Sequence, residues 1–213
     1  MNLDPISSSF MPPPRMSAAV SEPIDEDAID VALMARAATG EHAAFEQLIE
    51  RHQNAVVGTV AKMLGNPSDA QDIAQQVFLR LWKSAKRYQP TAKFTTYLFT
   101  ITRNLVFNES RRRSRRKEVS SDERAEESHN ELEDTGNSRP DSNLLQSELQ
   151  AAVDRAIAEL PENQRLAVVL RRYENMPYEE IAEVLGLSVS AVKSQLFRAR
   201  ATLRDSLMKY LDA

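Results

Sequence analysis

The stretch YEEIAEVLGLSVSAVKSQLFRARATLR, residues 178–204, decides how this chain is read. Ile181, Ala182 and Leu185 fall on one side of a helix. Gly186 then supplies the left-handed residue of a tight turn, and Ser188 stands where the next helix needs an N-cap. That next helix carries Val192, Leu196, Ala199 and Leu203 on its inward face. Two helices joined by a short glycine turn, with a small Ala182 where they cross, describe a helix-turn-helix. Ser190, Ala191, Lys193, Ser194, Phe197 and Arg198 are left facing outward. Cations and hydroxyls for base edges, beside an apolar group for thymine methyls, are what a base-reading face requires. A helical hairpin that merely packs would alternate Glu with Lys on its outer face, and no Glu occurs between residues 184 and 213. Arg200 and Arg204 fall nearer the edge, placed for phosphates or for salt bridges to Glu179 or Glu183.

The formal net charge of the 213 residues is −4, which argues against nucleic acid until the charge is mapped. Residues 103–117, RNLVFNESRRRSRRK, carry seven basic side chains and one acidic, whereas residues 118–141 carry nine acidic and two basic. The average conceals a basic helix followed by an acidic tether. With 42% hydrophobic residues, 6% aromatic and five glycines, long periodic segments dominate, and the expected fold class is all-α. Cysteine is absent, which excludes disulfides and thiolate metal sites, and His42, His52 and His129 lack a ligand spacing. No metal and no cofactor is expected. No apolar run reaches the ~20 residues that span a bilayer, and the N-terminus lacks the pattern of a signal peptide. The expected location is therefore the cytoplasm, without membrane insertion.

Working back along the chain, residues 1–24 are rich in Pro, Ser and Met without periodicity and are expected to be a disordered extension. Helices are expected over 26–39, closed by Gly40, and over 41–64, broken by Gly65-Asn66-Pro67. Ser68 with Gln71 resembles a capping box for a third helix reaching Lys86, and Thr95 stands as N-cap of a fourth. The acidic segment 118–142 has too little apolar surface to fold and reads as a flexible linker. A second domain from residue 143 is expected to hold helices at 144–159, 161–174, 178–185 and 188–209. The whole is then two small helical domains, 25–117 and 143–213, joined by that linker.

The third helix carries more apolar residues than one inward stripe requires. Ile73, Ala74, Val77 and Leu81 pack inward, leaving Leu79 and an edge of Phe78 near Asp72, Gln75 and Gln76. On its own this patch is either amphipathic spill-over or a protein-binding face. Three motifs taken together, DAQDIAQQVFLRLW, KFTTYLFTITRNLVFNESRRR and LPENQRLAVVLRRYENMPYEEIAEVLGLSVSAVKSQLFRARATLR, closely resemble an extracytoplasmic-function (ECF) sigma factor of bacterial RNA polymerase, of the sigma-70 family. The resemblance spans residues 28 to 208.

It implies an alternative sigma factor that binds core polymerase and directs promoter-specific initiation, with no catalysis of its own. Region 2, in the first domain, would bind the β′ clamp and the −10 element; region 4, in the second, would bind the β flap and the −35 element. By motif, Asp72, Gln75, Phe78 and Leu79 match the face that docks on the clamp. The loop from Tyr88 to Phe94, with Tyr97, Arg103, Asn104, Asn108, Arg111 and Arg112, matches the segment that holds the −10 strand. Such capture needs rings for unstacked bases and cations for phosphates. Ser188, Ser190, Lys193, Ser194, Phe197 and Arg198 match the −35 recognition helix. Core polymerase, promoter DNA and an anti-sigma factor are the implied partners. Tyr97, Ala191 and Gln195 depart from the Trp, Thr and Arg usual in the family, and the departures at Ala191 and Gln195 touch promoter choice more than function. A stand-alone helix-turn-helix regulator remains the alternative; it explains residues 178–204 but neither the third helix nor the arginine cluster.

Overall fold

The structure is a computed structural model that describes residues 25–120 and 142–211. Residues 1–24 and most of the expected linker, 121–141, lie outside the described residues. The described elements are all helical: α1 Glu26–Ala38, α2 His42–Leu64, α3 Pro67–Ser84, α4 Phe94–Ser120, α5 Ser142–Glu159, α6 Glu162–Arg172, α7 Tyr178–Leu185 and α8 Val189–Leu211, with a single 3-10 turn at Ala85–Arg87.

Helix ends follow local chemistry, with three departures from expectation. Gly65, at φ 68°, closes α2 in the left-handed region as expected. The capping box at Ser68 does not form. Asn66 caps α3 instead, its side chain accepting the Ser68 N–H, and Pro67 opens the helix where a missing N–H costs nothing. Thr95 is not the cap of α4. The helix starts at Phe94, two residues earlier than a Thr95 cap would give, and the Phe94 N–H is taken by the Asp27 carboxylate of α1 at 2.7 Å. A carboxylate from a distant helix satisfies an orphan donor here, which local spacing does not reveal. α4 also runs to Ser120, three residues into the segment expected to be linker.

α1 to α4 bury Met34, Leu48, Val56, Val60, Val77, Leu81 and Leu98. α6 to α8 bury Leu166, Leu170, Ile181, Val192 and Leu196, with Leu160 buried just after α5. A buried carboxylate pins α1 to α2: Asp30 is 2% exposed and accepts from Arg51 Nε at 2.7 Å, with His52 Nε2 at 2.8 Å from its other oxygen. Removing one side of such a network leaves the remaining groups without partners. Asp30→Ala is therefore expected to lower stability by about 1–3 kcal/mol in urea unfolding.

The two sets of helices are packed on each other. A single apolar cluster runs from Val60 and Met63 of α2 and Leu98 and Leu105 of α4 into Leu166 and Leu170 of α6 and Ile181 and Leu185 of α7. The sequence gives no warning of this, because the polar residues that complete the contact read as ordinary surface.

Candidate nucleic-acid and polymerase surfaces

The turn between α7 and α8 is built as its residues demand. Gly186 has φ 66°, and its N–H caps α7 on Ala182 and Glu183, while Leu187 N–H also reaches Ala182 O at 2.9 Å. Ser188 Oγ accepts the Ala191 N–H at 3.2 Å and lies 3.0 Å from Ser190 Oγ. Ser194 donates to the Ser190 carbonyl. Val192, Leu196 and Ala199 are buried and anchor α8. Ser188, Ser190, Lys193, Ser194 and Arg198 are all exposed, and Phe197 is 75% exposed. A phenyl ring held that far into water has no folding reason, because burying it would gain ~2 kcal/mol. All six expected residues therefore share one open face. Arg204 pairs with Asp205 at 3.6 Å rather than with Glu179 or Glu183.

On α3, Asp72, Gln75 and Leu79 are exposed on one side, opposite the buried Ala70, Ile73, Ala74, Val77 and Leu81. Leu79 is 51% exposed. Phe78, at 7% exposure, belongs to the core and offers a partner only the edge expected of it, so it is a weaker candidate for the docking face than the resemblance implies.

The third surface runs from Tyr88 along α4. Tyr88 and Tyr97 are half-buried with ring centroids 5.1 Å apart. Burial pushes the Tyr88 phenol above its ordinary pKa, and its hydroxyl is buried without a partner. Phe94 corrects the expectation. It is completely buried, 5.1 Å from the His52 ring, so it supports the tyrosines from below and cannot stack on a base. Asn104, Asn108 and Arg111 are exposed along α4, with Arg111 held over the Phe107 carbonyl. Arg112 is paired with Glu109 at 2.8 Å, and this hydrogen-bonded pair lowers the Glu109 pKa. Arg113 is structural, bridging Asp69 at 2.6 Å and Glu109 at 3.1 Å. Arg103 is half-buried and is drawn across to the second set of helices, donating to the Val184 carbonyl at 2.8 Å and to Asn104.

Among the described residues no group of three or more His, Asp or Glu is placed to hold a metal, and no helix is long and apolar enough to cross a membrane.

One helix-turn-helix with Lys193 and Arg198 on its open face, packed on a four-helix unit that carries the exposed Leu79 and a cationic helix, fits the class of DNA-reading proteins. Comparison with known proteins gives that class its family. Residues 48–116 match Sigma-70 region 2, and residues 150–203 match Sigma-70 region 4. The RNA polymerase sigma-H factor of Pseudomonas aeruginosa is 32% identical over 187 residues, covering 85% of this chain and 95% of its own. The ECF RNA polymerase sigma-E factor of Escherichia coli is 32% identical over 188 residues, covering 86% and 97%. Among solved structures, CnrH in complex with the cytosolic domain of CnrY superposes with a TM-score of 0.60 at 27% identity, covering 85% of this chain and 98% of that one. The sigma factor RpoE of Bartonella quintana, solved with the anti-sigma factor NepR, shares the fold with a TM-score of 0.62 at 22% identity, over 77% and 96%. The chain belongs to the ECF sigma factors of the sigma-70 family. It is an alternative sigma factor that directs promoter-specific transcription, and the stand-alone regulator is set aside because region 2 is present.

Proposed function

We propose that this sigma factor divides its task among the three surfaces above. Region 2, residues 25–117, docks on the β′ clamp of core polymerase through Asp72, Gln75 and Leu79. It holds the −10 strand with Tyr88, Tyr97, Arg103, Asn104, Asn108 and Arg111, with Arg112 contributing once it leaves Glu109. Region 4, residues 143–213, lies against the β flap and reads the −35 element with the outward face of α8. The segment between Ser120 and Ser142 is the tether between them. The chemistry of RNA synthesis belongs to the polymerase, and the sigma factor supplies recognition alone, in the cytoplasm where that enzyme works. An anti-sigma factor is the expected regulator, in keeping with the partner named for the Bartonella relative.

The observation that carries this reading is Leu79, half in water beside Asp72 and Gln75 on a helix whose other side is sealed in the core. A single exposed leucine is ordinary on a surface; what makes it a docking face is its place beside Asp72 and Gln75 on a helix that falls within the match to Sigma-70 region 2. The −10 assignment is tested by Asn104→Ala with Arg111→Ala. Core-polymerase affinity should stay at the wild-type value. Opening of duplex promoter DNA, followed by a fluorescent base in the −10 segment, should fall at least tenfold, and a pre-melted template should restore most of the transcript. Unchanged opening kinetics would remove these residues from the role.

A further inference from the structure

The run RRRSRR at residues 111–116 reads as one uniform cationic surface, but the fold divides it. Arg112 donates from Nε and Nη2 to the two oxygens of Glu109 at 2.8 and 2.9 Å, a bidentate pair. Arg113 donates from Nε to the same carboxylate at 3.1 Å and from Nη2 to Asp69 of α3 at 2.6 Å. Its Nη1 reaches the Leu64 carbonyl at the end of α2. Arg111 and Arg115 make no ion pair among the described residues; their Nε atoms donate to the α4 carbonyls of Phe107 and Arg111. A guanidinium resting on its own helix backbone keeps its full charge. One spread across a carboxylate is already neutralised.

Glu109 is unlike an ordinary surface partner. Its side chain is 13% exposed while that of Arg112 is 58% exposed, so the carboxylate is set into the protein and the arginine lies over it. Arg113, tied to α3 and to the end of α2, fixes that carboxylate from outside α4. The hydrogen bonds from Arg112 hold the Glu109 carboxyl below its ordinary pKa against the opposing pull of burial, so it stays an anion at neutral pH. Arg112 also continues a row. Asn104, Asn108 and Arg112 follow one another at intervals of four residues and share one side of α4. Asn108 and Arg112 line a groove of about 290 Å³ between α4 and α3, to which Gln76 and Arg80 of α3 also contribute. A strand lying along Asn104 and Asn108 therefore arrives at Arg112, with room beside it for a phosphate.

We propose that Glu109 is a specificity-determining residue of the −10 surface: its carboxylate stands where a phosphate would and withholds Arg112 from nucleic acid at large. Strands of arbitrary sequence are held by Arg111 and Arg115. They draw nothing from Arg112, because exchanging one anion for another on it releases no further counterion. A strand positioned by Asn104 and Asn108 presents its phosphate at the groove, and Arg112 turns to it, since an exposed pair of this kind is held only weakly. Glu109 keeps Arg113 and stays in place. General affinity falls and discrimination rises. This inference rests on the assignment of α4 to the −10 strand.

Binding of the full-length chain to a labelled oligothymidylate of about 16 nucleotides, followed by anisotropy across a salt series, reads the withheld charge. Arg112→Ala should leave the affinity and its salt slope at the wild-type values. Arg111→Ala should flatten the slope by about 0.7, the contribution of one phosphate contact on a single strand. Glu109→Gln, which keeps an oxygen for Arg113, should tighten binding by roughly threefold or more and steepen the slope by about 0.7. Adding Arg112→Ala to it should restore the wild-type slope, the signature of coupled residues. With core polymerase present, Arg112→Ala should slow promoter opening by roughly threefold or more, and Glu109→Gln should narrow the preference for promoter over unrelated fragments by a similar factor. An equal cost of Arg112→Ala in the wild-type and Glu109→Gln backgrounds would overturn the proposal. So would normal opening by Arg112→Ala where the Asn104→Ala, Arg111→Ala variant is impaired. Should Glu109→Gln not fold, Arg112→Ala alone decides, because a slope flattened by that single change means the arginine was never withheld. Failure of the −10 assignment itself appears separately, as unchanged opening by the Asn104→Ala, Arg111→Ala variant.

Discussion

A chain carrying Asp72→Ala, Gln75→Ala and Leu79→Ala keeps its fold and loses most of its affinity for core polymerase. All three side chains are exposed, and the buried side of α3 is untouched by the change, so the melting temperature should stay within a few degrees of wild type. Interface residues of the hot-spot kind each contribute more than ~1 kcal/mol, so the triple variant should bind at least ~100-fold more weakly if their effects add. Fluorescence anisotropy of labelled protein against core enzyme measures this directly. Phe78→Ala would be a poor substitute for the experiment, because its ring is 7% exposed and its loss would hollow the core. Wild-type affinity in a folded triple variant would remove α3 from the clamp.

The second large effect concerns α8. Arg198→Ala should reduce transcription from promoters with an intact −35 element and flatten base preference at one or two positions there. A side chain that reads a base discriminates by about 1–3 kcal/mol, or roughly 5- to 150-fold, whereas one that holds phosphate weakens every sequence alike. Arg198 is exposed on the face that also carries Lys193, Ser194 and Phe197, one turn from Ser194. A library of −35 substitutions transcribed with wild type and variant separates the two roles. Identical preference profiles would make Arg198 a phosphate contact and shift reading toward Ser190 and Phe197.

What could be read from the chain follows from the range of the forces involved. Gly65, Gly186 and the apolar spacing on α7 and α8 act within one or two helical turns, so the helices and the helix-turn-helix were legible before any coordinates. So was the open face from Ser188 to Arg198, because its neighbours Val192, Leu196 and Ala199 leave those residues nowhere to go but outward. Misreadings arose where a distant group intervened. Phe94 sits in a loop rich in aromatics and looks available for stacking, but Asp27 from α1 fixes its backbone and the His52 ring covers it. Asn66 outcompeted Ser68 as a cap because Pro67 opens the helix. Arg103 reads as part of the −10 segment, and only the packing of α7 on α4 brings it to the Val184 carbonyl and pairs Lys93 with Glu180. Segregated charge along the chain showed that two basic surfaces exist; it carried no information that Arg103, on one of them, donates to the Val184 carbonyl of α7.

The central claim is that this chain confers promoter specificity on a polymerase that lacks it. Run-off transcription with core RNA polymerase and a library of genomic promoter fragments, with and without the protein, tests that most directly. The account predicts discrete transcripts that appear only when the protein is added and whose templates share paired −35 and −10 sequences at a fixed separation. Transcripts indifferent to the protein, together with a palindromic footprint made by the protein alone on duplex DNA, would contradict it.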